Sequence, residues 1–161
     1  MEKQFYIKNE TLHVNYRLTI PKEVSKVWQY LTETTKIQEW FKEIEVGSLQ
    51  TEGYLIFKLP EQNIRMNILS FEPEKIICFE WGTGSVQFEL TNESVGTQLN
   101  FYEVLPKDFD HPVRDITGWY LQLEGLLATI KGEETSFDMN KFQETQVKFE
   151  KLIRELKEEK A

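Results

Sequence analysis

The chain changes its hydrophobic period three times, and each change marks a new element. After a polar lead-in, Leu12, Val14, Tyr16, Leu18 and Ile20 are apolar, while His13, Asn15, Arg17 and Thr19 between them are polar. A strict period of two puts one face of a strand in a core and the other in water. Pro21 ends that strand, since proline lacks the N–H a ladder needs and suits the first turn of a helix. Val24, Val27, Trp28 and Leu31 then recur at helical spacing. A second short helix follows, with Thr35 and Gln38 placed as a capping box and Ile37, Trp40 and Phe41 on its apolar side.

Period two returns from about Val46 to Leu105. Tyr54 to Leu59, Ile64 to Phe71, Lys75 to Trp81, Val86 to Thr91 and Thr97 to Val104 read as strands, and a further one is expected near Ile44 to Leu49. Short Gly-, Pro- and Asn-bearing turns separate them, so neighbours in sequence are antiparallel neighbours in space. Asp110 to Gly132 is the longest helical pattern. Asp110 is a candidate cap, Pro112 sits in the first turn, and Gly132 supplies the stop. Ile116, Trp119, Tyr120, Leu123, Leu126, Leu127 and Ile130 cover its broad apolar face. Ser136 or Asp138 can cap a terminal helix whose stripe is Phe142, Phe149, Leu152, Ile153 and Leu156. The order predicts an α+β fold: a curved antiparallel sheet of about seven strands gripping the long helix, two short helices after the first strand, and an extra terminal helix.

Composition narrows the partners. The 161 residues fit one domain, with 40% hydrophobic and 13% aromatic residues. A formal net charge of -8 repels phosphates and anionic headgroups, so neither nucleic acid nor membrane is expected as a partner. No apolar run reaches the roughly 18 residues of a membrane span, and no apolar leader opens the sequence. The single cysteine, Cys78, permits no intramolecular disulfide, and a cytoplasmic location is the default expectation.

Catalytic chemistry is thinly represented. His13 and His111 stand apart with no Cys or His cluster, so no metal site is expected, and no cofactor motif is present. Cys78 sits in a strand pattern as a small hydrophobe. Gly82 and Gly84 lie between two strands and read as a hairpin turn rather than a phosphate cradle. Glu103 follows Leu99 and Phe101 in the same phase. It either points inward, where it would hold a raised pKa and orient a ligand, or meets solvent where the strand ends or bulges. The second is the ordinary outcome for an unpaired charge. The aromatics carry more. Trp28, Trp40, Phe57, Phe79, Trp81, Phe88, Phe101 and Trp119 all fall on inward faces, where they either fill the core or line a cavity. Gly118 and Gly125 interrupt the long helix at a cost that calls for a reason, ordinarily the close approach of another element.

Taken in order, Ile20-Pro21, Val27-Trp28, Trp40-Phe41, Glu72-Pro73-Glu74-Lys75-Ile76 leading to Trp81, Gly96-Thr97-Gln98-Leu99, and Gly118-Trp119-Tyr120 followed by Leu123, Leu126 and Leu127 resemble the START-like (SRPBCC, helix-grip) superfamily. Within it they resemble bacterial proteins similar to the activator of the heat-shock-protein-90 ATPase. The resemblance spans about residues 10 to 132. It implies a helix-grip domain over residues 1–135 and carries nothing over to the terminal helix, 136–161, whose narrow apolar stripe and short polar link instead predict docking on the same domain. It also implies a cavity between sheet and helix that takes apolar or amphipathic small molecules. Fold does not fix chemistry, so three functions stand. The first is non-catalytic binding of a hydrophobic or amphipathic small molecule, at a site of Trp40, Phe57, Met66, Trp81, Phe88, Phe101, Glu103, Trp119 and Leu123. The second is a chaperone-accessory or regulatory module of the stress response, with a chaperone or other protein as partner. The third is a cyclase- or hydrolase-type enzyme using Glu103.

Overall fold

A computed structural model describes residues 1–160. Its eight strands are β1 (Glu2–Lys8), β2 (Thr11–Ile20), β3 (Ile44–Ser48), β4 (Tyr54–Lys58), β5 (Asn63–Glu72), β6 (Ile76–Trp81), β7 (Gly84–Glu93) and β8 (Gly96–Leu105). They form one open antiparallel sheet in the order β1-β2-β8-β7-β6-β5-β4-β3. Four helices complete the described residues: α1 (Val24–Thr32), α2 (Thr34–Ile37), α3 (Pro112–Ile130) and α4 (Met139–Lys160).

The sheet therefore has eight strands, one more than the alternation predicts. The extra strand is the polar lead-in. Asn9 and Glu10 both take positive φ, 52° and 62°, which makes a two-residue turn whose twist matches a hairpin, and Lys8 pairs Thr11 across it. Only Phe5 and Ile7 of β1 pack inward, too few to announce a strand.

Period two places Tyr16, Leu18 and Ile20 of β2, Phe88 and Leu90 of β7, and Leu99, Phe101 and Glu103 of β8 on one face. Helix α3 lies across that face. Tyr16 donates its hydroxyl to the Ile116 carbonyl at 2.7 Å, and Leu123 and Leu126 are fully buried beneath the helix. Truncating either leucine to alanine would cost about 2–5 kcal/mol, the range for a buried leucine in a core that collapses only partly.

Two predicted caps are not made. The capping box of Thr35 and Gln38 is absent because α2 starts two residues earlier, with Glu33 in the cap position. Thr34 Oγ1 instead accepts from the Val46 amide at 3.0 Å, and Gln38 donates to the Ile44 carbonyl. Asp110 does not cap α3; His111 holds that position in the left-handed region, with Pro112 as the first helical residue. The stop is as read: Gly132 has φ 77°, and the Gly132 and Glu133 amides close back on the Thr129 and Ala128 carbonyls. Asp138 caps α4, accepting from the Asn140 and Lys141 amides. From α4, Phe149 and Ile153 enter the core, Phe149 against Phe5, Tyr16 and Tyr120. Leu152, expected in that stripe, faces outward.

Candidate functional site

The space between sheet and helix is filled by rings. Trp119, at the middle of α3, meets Phe101 at 4.9 Å, Trp81 at 5.0 Å, Phe41 at 5.2 Å and Phe88 at 5.9 Å between centroids. The void beside Trp40, Phe88 and Trp119 measures about 10 Å³, the room of a single water at most. The expectation of a closed cavity is corrected accordingly: a run of large aromatics on facing surfaces closes the gap it would otherwise border. Met66, Phe88, Phe101 and Leu123 are buried core. Phe57, half-buried, packs edge-on against Phe41 and Trp81.

The room lies at the mouth of this layer. Two open hollows of about 630 and 670 Å³ run along the outer side of α3, and both are lined by Gly118, Gln122, Phe137 and Phe142. This shared lining makes them one groove. In the first hollow the floor is Phe41, Trp81, Asp115 and Trp119, and the far side is Phe137, Met139 and Phe142 at the start of α4. Trp40 borders the second hollow. The helix glycines find their explanation here. A Cβ built on Gly118 or Gly125 meets nothing within 4 Å, so no element packs against them. They border open space, contrary to the expected close approach.

Beneath the floor lie two carboxyl groups. Glu103 points inward and is 1% exposed, which overturns its solvent-facing reading. Asp115, in the first turn of α3, accepts a 2.7 Å hydrogen bond at Oδ1 from Trp81 Nε1. Neither oxygen of Glu103 nor Oδ2 of Asp115 receives a donor from any other side chain. Two carboxylates cannot bond each other, so the contact between them becomes a hydrogen bond only when one keeps a proton. Burial pushes Glu103 well above the ordinary carboxylate range, and the neighbouring charge of Asp115 adds to it. Burial also raises Asp115, with the bonds from Glu103 and Trp81 opposing it. Glu103 is therefore the proton's holder and Asp115 its acceptor. Tyr16 stands behind the pair, its hydroxyl pushed well up by burial and by both carboxyls. Trp119 Nε1 is buried without an acceptor.

Of the residues singled out in the sequence, the structure brings Trp81 and Trp119 to the groove floor, Trp40 to its far half, and Glu103 just behind. Asp115 escaped sequence reasoning. Its signal was position: four residues before Trp119, it shares that residue's face of the helix. Cys78 is half-buried, with its thiol raised by burial, the opposite of an activated nucleophile. His13 stacks on Tyr6 at 4.6 Å. Among the described residues no three His, Cys, Asp or Glu gather as metal ligands. No described helix is long and apolar enough to cross a membrane.

An open antiparallel sheet of eight strands with one long helix on its packed face defines an α+β protein. No family model matches the chain, and no curated protein matches it in sequence. Solved structures do. A conserved protein of unknown function from Enterococcus faecalis is 29% identical, with a TM-score of 0.90 over 96% of this chain and 92% of that one. CalU16 from Micromonospora echinospora is 21% identical, with a TM-score of 0.73 over 95% and 98%. The Aha1 dimer from Colwellia psychrerythraea is 18% identical, with a TM-score of 0.60 over 73% and 95%.

Proposed function

We propose that the chain binds an amphipathic small molecule in the groove along α3 without transforming it. The supporting observation is the contrast between the packed rings, where the void beside Trp40, Phe88 and Trp119 is about 10 Å³, and an open hollow of about 630 Å³ floored by Phe41, Trp81 and Trp119. Apolar surface with a few convergent polar groups is the usual form of a small-molecule site. The apolar part of the ligand rests on the rings, and its polar end meets Asp115. Residues 1–135 supply the floor and 136–161 the opposite side, so the terminal helix works as part of the same unit. Glu103 borders neither hollow, which favours an orienting role for the carboxyl pair over acid–base turnover.

Native mass spectrometry of freshly purified protein, with tryptophan fluorescence and thermal melting on added ligands, tests this reading. A co-purifying small molecule whose binding quenches fluorescence and raises Tm supports it. Unchanged fluorescence and melting across a broad amphiphile panel, with nothing co-purifying, would remove it.

A second reading, a chaperone-accessory or regulatory module, draws support from the shared fold of the Aha1 dimer and from apolar side chains left exposed near α4. Phe137 is 70% and Val147 66% exposed. Capture of a defined chaperone that is lost on charge reversal along α4, with no small molecule bound, would favour it.

A further inference from the structure

We infer that the groove takes an amphipathic organic amine, its ammonium set against Asp115 and an oxygen beside the nitrogen accepting from Trp119 Nε1. The inference rests on the binding reading above and names its ligand class. The groove floor holds negative charge without a cation of its own. Asp115 Oδ2 is buried with no donor, and among the described residues no ion pair reaches Asp115 or Glu103. Every other group near the pair is accounted for. Tyr16 on β2 and Trp81 on β6 are neutral. On α3, Tyr120 is neutral and Arg114 lines the rim, exposed. His111 and Asp110, also on the rim and exposed, face each other at 3.4 Å. Rim charges in water are screened; a charge lodged between the rings is not.

Shape and chemistry agree. Indole and phenyl faces attract an ammonium, and Trp81, Trp119 and Phe41 surround the approach to Asp115. The buried Trp119 Nε1 lacks an acceptor, which a hydroxyl or carbonyl beside the nitrogen provides. A carboxylate ligand would set a second negative charge beside the Asp115 carboxylate. An ammonium instead takes the place of the shared proton: the ligand enters protonated, Glu103 releases its proton to the buffer, and the net charge of the site is conserved.

Calorimetry with octylamine, octanol and octanoate, in buffers of different ionisation enthalpy at about pH 6 and about pH 8, decides it. Octylamine should bind at least about tenfold more tightly than octanol, in keeping with one desolvated cation–π and charge contact. It should release protons on binding and bind better at the higher pH, and the amino alcohol of the same length should bind more tightly still. Asp115→Asn should abolish the preference for amine over alcohol while octanol binding persists. If that variant does not fold, Glu103→Gln keeps the shape, and its proton release should vanish. Equal binding of octanol and octylamine overturns the amine class and leaves the binding function standing. Tightest binding by octanoate, weakened in Arg114→Gln, assigns an anion instead and also overturns it. No binding by any of the four defeats both.

Discussion

Trp81 and Asp115 are joined by a 2.7 Å hydrogen bond, indole Nε1 to carboxylate Oδ1, and this bond ties the end of β6 to the first turn of α3. It holds Asp115 in the orientation that meets Glu103, and together with the protonated Glu103 it offsets the burial of that carboxylate. Trp81→Phe keeps the ring and removes the donor. A loss of about 1–3 kcal/mol is expected, the cost of leaving a buried acceptor unmet, read as a shifted urea midpoint with an unchanged slope.

The carboxyl pair sets a pH dependence opposite in sign to the usual acid denaturation. Both groups are raised in the folded protein, so between their unfolded and folded pKa values the folded state binds more protons. Their stabilising contribution is complete below the ordinary carboxylate range and is lost as pH rises through the folded values. Glu103→Gln removes most of this decline. Melting temperatures of the two proteins should coincide below the ordinary carboxylate range and diverge as pH rises above it, with the variant the more stable.

The helix glycines separate stability from binding. Gly125→Ala should stabilise the protein by about 0.5–1 kcal/mol, since alanine costs less in a helix interior and the new methyl meets nothing within 4 Å. Gly118→Leu extends a side chain into the shared part of the groove. Retained melting temperature with lost amphiphile binding is the expected outcome, and unchanged binding would place the ligand elsewhere.

Phe149 is 2% exposed and touches rings from β1, β2 and α3. Phe149→Ala should cost about 3–5 kcal/mol. Hydrogen exchange in that variant should speed up together in β1 and α4, because each covers the other's apolar side.

Much of this was legible because periods of two and 3.6 are imposed by burial. The strands from Tyr54 to Val104 and the helix bearing Trp119 each bury a whole face, and the pattern follows. What escaped depended on partners far away in sequence. The strand at Phe5 and Ile7 has a buried side only once Phe149 arrives. The caps at Thr35 and Asp110 failed because a cap is a contest among adjacent polar residues that the local sequence leaves nearly even. At the site, aromatic positions were readable but fullness was not, since alternation tells which way a ring points and not how far it reaches across. Glu103 defied the rule against buried charge because its relief comes from Asp115, and nothing in either segment alone announces the other.

The indoles of Trp81 and Trp119 sit 5.0 Å apart at 62°. At that separation their electronic transitions mix, and two neighbouring chromophores answer circularly polarised light as a pair. The near-ultraviolet dichroism should therefore carry a paired positive and negative band from this corner. Any molecule that wedges one ring aside would alter its amplitude, giving the groove a built-in optical gauge of occupancy that needs no label.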